Sequence, residues 1–222
     1  MSIRNRHWGW LLCLLFTAPL LAQSMHEVVA QRYGAAASAR LQHWQQQLQQ
    51  WQSLATSTQL QRVNDLANQM QSLTDQALWG SNDYWATTAE FVGAGGGDCE
   101  DFSIAKFDAL LQLGIAPQQL RLVYVKAEQL QEYHMVLAYY PKPDAIPLLL
   151  DNLNPAILSA DKRPDLTPVF SFNAAQLWLN VNRFQSQSVG NINNFSQWQQ
   201  LQHRDQPRLP KLQLPFAQGT VR

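Results

Sequence analysis

Apolar residues recur three and four positions apart from Ser38 to Ala55, where Leu41, Trp44, Leu48, Trp51 and Ala55 share one face among glutamines. This is the period of an amphipathic helix, so the tryptophans are expected to anchor it in a core while the glutamines form an uncharged, solvated face. Leu60, Val63, Ala67, Met70 and Leu73 repeat the spacing and predict a second helix packed against the first or against the core. From Trp79 to Glu90 turn formers alternate with aromatic rings, the composition of an irregular connection beside a cleft. After Gly93, Gly95, Gly96 and Gly97 the helical period returns at Phe102, Ala105, Lys106, Ala109 and Leu110, with Gly114 as a left-handed cap. Beyond it the segments Arg121 to Ala127, Tyr133 to Tyr140 and Leu148 to Leu153 are short and rich in Val, Leu and Tyr, the signature of strands. Helices first and strands later give an α+β architecture, an antiparallel sheet laid against the helix that follows the glycines. Residues 23–78 are expected to form an N-terminal helical segment and 79–180 the core. Residues 181–222, polar and punctuated by Pro207, Pro210 and Pro215, are expected to form a C-terminal extension.

The first 22 residues have a different pattern. Arg4 and Arg6 precede an apolar run from Trp8 to Phe16, then Pro19 and a small-residue exit near Ala22, the layout of a cleavable export signal. The run is shorter than the roughly 20 residues that span a bilayer, which argues against an anchor. Leu12 before Cys13 is too large for a lipoprotein cleavage site, and the expected destination is the periplasm. Lys plus Arg equals Asp plus Glu at 16 each, so no excess of positive charge exists to neutralise a phosphate backbone, and nucleic acid is a poor candidate partner.

Removal of the signal leaves Cys99 as the one cysteine, which excludes an internal disulfide and a multi-cysteine metal site. Asp98 is a good N-cap, and the glycines before it permit a sharp loop-to-helix turn, placing Cys99 on the first turn of a helix. Helix N–H groups and the dipole favour a thiolate there and can receive an oxyanion. Asp98, Glu100 and Asp101 oppose the thiolate, and two things would compensate: a paired imidazolium or a divalent cation held by the carboxylates. Of five histidines, His134 opens a strand, where alternation aligns it with Val136 and Ala138, and Asp151 follows Leu148-Leu149-Leu150 on the next strand. Cys99, His134 and Asp151 therefore supply a nucleophile, a base and an orienting acid in chain order. Spacing alone leaves open an inert buried thiol, a satisfied core histidine, and an acidic run that is simply a solvated helix N-terminus.

The run Asp83-Tyr84-Trp85-Ala86-Thr87, the block Gly97-Asp98-Cys99-Glu100-Asp101-Phe102-Ser103-Ile104-Ala105-Lys106, then Tyr124-Val125-Lys126-Ala127, Tyr133-His134-Met135-Val136-Leu137 and Leu150-Asp151-Asn152 resemble the bacterial transglutaminase-like cysteine proteinases, and within them the LapG-type periplasmic proteases. The resemblance covers Trp79 to Asn154 in detail. It implies a papain-like α+β fold with 79–180 as the catalytic core, a triad on Cys99, His134 and Asp151, and calcium held by Asp98, Glu100 and Asp101. It further implies an endopeptidase that cuts a large surface adhesin near its N-terminus at a di-alanine site, releasing it and dispersing biofilm. The implied regulator is an inner-membrane receptor that sequesters the protease when cyclic di-GMP is high. Two rival activities remain at this point: acyl transfer to an amine, as in true transglutaminases, and a calcium-stabilised binding module with a structural Cys99.

Overall fold

The computed structural model describes residues 23–180, 186–192, 195–204 and 207–211, so the export signal expected over 1–22 lies outside them. Ser24 and Glu27 form a capping box that starts helix α1 (Met25–Tyr33), and Gly34, at φ +91°, turns the chain into α2 (Ala35–Trp51). Helix α2 buries Ala37, Leu41, Trp44 and Leu48, the stripe read from the sequence, and ends four residues before Ala55. Helix α3 (Thr56–Ala67) buries Leu60, Val63 and Ala67, while Met70 and Leu73 lie beyond its end, packed against the same core.

The stretch expected to be irregular contains more structure than its composition suggests. It is framed by strand β1 (Gln71–Ser72), the single turn α4 (Asp75–Leu78), helix α5 (Thr88–Ala94) and strand β2 (Gly96–Gly97). A Thr87–Glu90 capping box starts α5, and Gly95, at φ +83°, ends it. Strands β1 and β2 pair in parallel, Gln71 with Gly96 and Ser72 with Gly97. A Cβ on Gly96 would stand 2.4 Å from the Gln71 carbonyl oxygen, and one on Gly97 would stand 2.3 Å from an Asp101 carboxylate oxygen. The glycines thus serve close approach as well as the turn.

Helix α6 (Cys99–Gln112) follows and is central, with Phe102, Ile104, Ala105, Phe107, Ala109 and Leu110 all buried. Gly114, at φ +89°, caps it as expected. The sheet against it is antiparallel, with strands β3 (Leu120–Ala127), β4 (Glu132–Tyr139), β5 (Leu148–Leu150), β6 (Leu158–Ser159), β7 (Leu166–Phe172), β8 (Gln176–Asn180) and β9 (Ser186–Asn191) in the order β6-β5-β4-β3-β7-β8-β9. Leu120, Leu122, Met135 and Leu137 join the main core with α6, whereas Val123, Val125, Val136, Ala138, Leu149 and Leu166 make a smaller apolar layer on the other face. This split is the two-residue period of a strand. Sheet pairing crosses residue 180, from β8 to β9, and helix α7 (Ser196–Gln202) returns to bury Trp198 against Phe107 and Phe172. Within the described part of 181–222, Ile192, Trp198 and Leu201 join the main core, while β9 extends the sheet with all six residues exposed. The whole is an α+β fold of helices packed on an antiparallel sheet, consistent with the papain-like and transglutaminase-like architecture. Among the described residues, no helix is long and apolar enough to cross a membrane.

Candidate active site

Asp98 occupies the N-cap of α6, and the Asp101 carboxylate accepts from the Asp98 N–H at 3.4 Å, so the first turn is fixed by its own acids. Cys99 is half-buried on that turn. Its thiol donates to Glu100 Oε2 at 2.8 Å. One turn on, Ser103 Oγ donates to the Met135 carbonyl at 3.0 Å. Helix α6 is thereby docked on β4 at the residue next to His134. Burial, then the charges of Glu100 and Asp98, push the Cys99 thiol well above its ordinary range, so in this arrangement it is protonated and its side-chain partner is Glu100, not an imidazole.

His134 is buried, and its Nε2 lies 2.8 Å from Asp151 Oδ1. That oxygen also accepts from the Leu153 N–H at 2.9 Å, and Oδ2 accepts from Arg163 Nη2 at 2.9 Å. Burial by itself would raise the Asp151 carboxyl, but His134, Leu153 and Arg163 together bring it down to about 2. An ionised Asp151 holds the proton on Nε2 and leaves Nδ1 as the basic nitrogen of the ring. Asp151 follows β5 directly, and the pairing of Leu137 with Leu150 carries it to the end of β4 where His134 sits. Lys106 of α6 is buried too, and desolvation lowers its amine to about 7 against the opposing pull of Asp151.

Of the three acids expected around Cys99, Asp98 and Asp101 cluster with Asp75, which lies outside the expected set. Asp75, Asp98 and Asp101 bring ligand oxygens within 4.8 Å of one another. Thr74 caps α4 and presents Asp75 beside the β1–β2 pair, a placement made by chain pairing that no local motif announces. The loop after α4 closes over these acids, with Tyr84 N–H donating to Asp75 at 2.5 Å and Ala86 N–H donating to Asp101 at 2.7 Å. Desolvation and the neighbouring carboxylates raise Asp75 to about 6 and Asp98 to about 10, and Asp101 also well above its usual range. Asp75 Oδ1 and Asp98 Oδ1 are buried without a hydrogen-bond partner. Buried oxygens left unpaired in a field of like charge fit a hard divalent cation, whose preferred ligands are carboxylates. Glu100 stands beside this cluster, close enough to raise all three aspartates, with its own Oε2 turned to the thiol.

Tyr124 stacks between Tyr133 and Phe170, at centroid separations of 5.3 and 5.0 Å, and burial, then the charge of Glu100, raise its hydroxyl. Trp85 instead belongs to the core, stacked 5.7 Å from Phe172.

A family model described as bacterial transglutaminase-like cysteine proteinase matches residues 28–185, well over half of the chain. Among solved structures, Legionella pneumophila LapG in its EGTA-treated form is 38% identical, with a TM-score of 0.70, covering 81% of this chain and 96% of that one. The calcium-bound form of the same protein is 37% identical, with a TM-score of 0.69, covering 81% of this chain and 99% of that one. No curated protein matches the chain. With a matching family model over most of its length, and relatives of this identity and coverage, the chain belongs to the bacterial transglutaminase-like cysteine proteinases.

Proposed function

We propose that the chain is a calcium-dependent periplasmic cysteine endopeptidase that cuts a large surface adhesin near its N-terminus at a di-alanine site, releasing it and dispersing biofilm. Its regulator in this proposal is an inner-membrane receptor that withholds the protease when cyclic di-GMP is high. The adhesin and the receptor come with the family resemblance. The chemistry rests on this chain's residues, and the 2.8 Å bond between the buried His134 and Asp151, on the strand where Ser103 of the Cys99 helix is hydrogen-bonded at Met135, carries it.

In the proposed reaction His134 Nδ1 takes the proton from Cys99 Sγ, and the thiolate attacks the scissile carbonyl. The Cys99 backbone N–H, at the positive end of α6, stabilises the oxyanion. Collapse of the tetrahedral adduct breaks the C–N bond while His134 returns the proton to the leaving amine. Water, deprotonated by the same nitrogen, then attacks the thioester and frees Cys99. Asp75, Asp98 and Asp101, with Glu100 beside them, hold calcium. Bound there, the ion supplies positive charge that offsets the carboxylates keeping the thiol protonated.

The test is to incubate the protein with an N-terminal adhesin fragment carrying the di-alanine site. Two shorter products, absent for Cys99→Ala, are expected. A heavier cross-linked species would mean acyl transfer, and an unchanged biological effect of Cys99→Ala would mean a binding module; either result overturns the proposal.

A further inference from the structure

Asp151 can only orient His134 if something orients Asp151, since a carboxylate on a single side-chain bond has its own rotation to lose. One oxygen is committed to His134 and the Leu153 N–H; the other meets Arg163 Nη2. That guanidinium is itself held. Nη2 also donates to Asp165 Oδ2 at 2.8 Å and Nε donates to Asp165 Oδ1 at 3.0 Å, a two-point contact that fixes the plane of the fork. The side chains of Arg163 and Asp151 are nearly sealed, at 4% and 0% exposure, while Asp165 is about one-third exposed. The other titratable groups facing Asp151 are His134, which it serves, and Lys106, which acts on it through space from α6.

We infer that Arg163 is a positioning residue of the hydrolytic site, delivering one Asp151 oxygen to His134 by holding the other, with Asp165 locking the guanidinium in plane. Lysine could supply the charge but not the plane, which separates positioning from neutralisation. The inference rests on the protease reading for its consequence and on geometry alone for the arrangement. Access makes it testable. Arg163 lines a cavity of about 440 Å³ on the sheet face away from α6, together with Val125, Val136, Leu149 and Leu166. A small cation can therefore enter where the side chain is removed.

Arg163→Ala is expected to lower kcat roughly 10- to 100-fold, the usual cost of losing a group that orients a working ligand, with KM changing less than about 3-fold. Millimolar guanidinium should restore most of the rate, and neutral urea at the same concentration should not. Arg163→Lys should recover only part of the loss. Nitrogen NMR of the His134 ring, which needs no substrate, should show the proton leaving Nε2 for a tautomer mixture in Arg163→Ala and returning with guanidinium. Should Arg163→Ala fail to fold, Asp165→Asn keeps the guanidinium and should still cost a few-fold in kcat by freeing its plane. A folded variant with native kcat, an unchanged ring spectrum and no guanidinium effect would overturn the inference. Ring changes without cleavage by any form would leave Arg163 in its role and remove the protease reading instead.

Discussion

Asp101 and Asp151 are both shut off from water, at 0% and 1% exposure, yet their surroundings push them in opposite directions. Asp151 meets an imidazole, a guanidinium and a backbone N–H, and its carboxyl falls to about 2. Asp101 meets two backbone N–H groups and a crowd of carboxylates, and its carboxyl rises far above the normal range. Desolvation raises both carboxyls, and the neighbours decide whether it is overcome. One region carries its countercharges in the chain. The other lacks them, and in the proposed function a divalent cation would complete it. In the proposed function the first orients the base and the second acts as a switch on the adjoining thiol.

The strongest way to break the comparison is Asp151→Asn, which keeps the shape but exchanges an acceptor for a donor toward His134. The expected loss is roughly 10³- to 10⁴-fold in kcat, because the ring is then held in the wrong tautomer; a loss under tenfold would mean that Asp151 only packs.

Chelation acts on the other region. EGTA should abolish cleavage, and calcium should restore it. At a calcium concentration about 100 times its Kd the ion adds about 2.7 kcal/mol. In a chain of this size that lowers Tm by roughly 5 to 10 °C on removal, measurable by scanning calorimetry with and without chelator. Full activity in EGTA would leave the acids without the metal role assigned to them.

Acid titration sharpens the contrast next. The folded carboxyl of Asp151 is depressed from 3.8 to about 2, so its stabilisation is fully present above pH 4 and is lost as pH falls from 4 through 2. The difference is about 2 kcal/mol, read as extra acid sensitivity of the native protein over Asp151→Asn in urea melts between pH 5 and pH 2. Parallel curves for the two proteins would contradict it.

The smallest effect changes sign with the ion. Burial and the neighbouring carboxylates hold Asp98 protonated in the metal-free chain, and taking up that proton on folding costs stability at neutral pH; Asp98→Asn removes this cost, so in EGTA the variant should be more stable than the native chain. In saturating calcium it should be less stable and bind the ion more weakly, which isothermal titration and paired melts will show. Destabilisation under both conditions would assign Asp98 to capping alone.

Much of the fold is legible in the order of residues along the chain. The α2 stripe of Leu41, Trp44 and Leu48 is where periodicity puts it, because a long helix with one buried face writes its period into the chain. The N-cap at Asp98 and the strand at His134 are legible for the same local reasons. Helix α5 is not. It has seven residues, contains Gly93, and is started by the Thr87–Glu90 box inside a stretch whose composition reads as turn. Strand β9 escapes as well, since all six of its residues are exposed and no alternation marks it. Asp75 and Arg163 carry no motif. Their functional neighbours are 23 and 12 positions away, and only the β1–β2 pairing and the turn after β6 bring them in.

The sequence by itself determined the elements with strong local period, the α+β order, and which cysteine, histidine and aspartate were available for chemistry. Tertiary structure alone decided which acids crowd together unpaired and which meet a cation. Periodicity is a property of neighbours along the chain, whereas the charge balance of a buried carboxylate is set by groups that reach it through space.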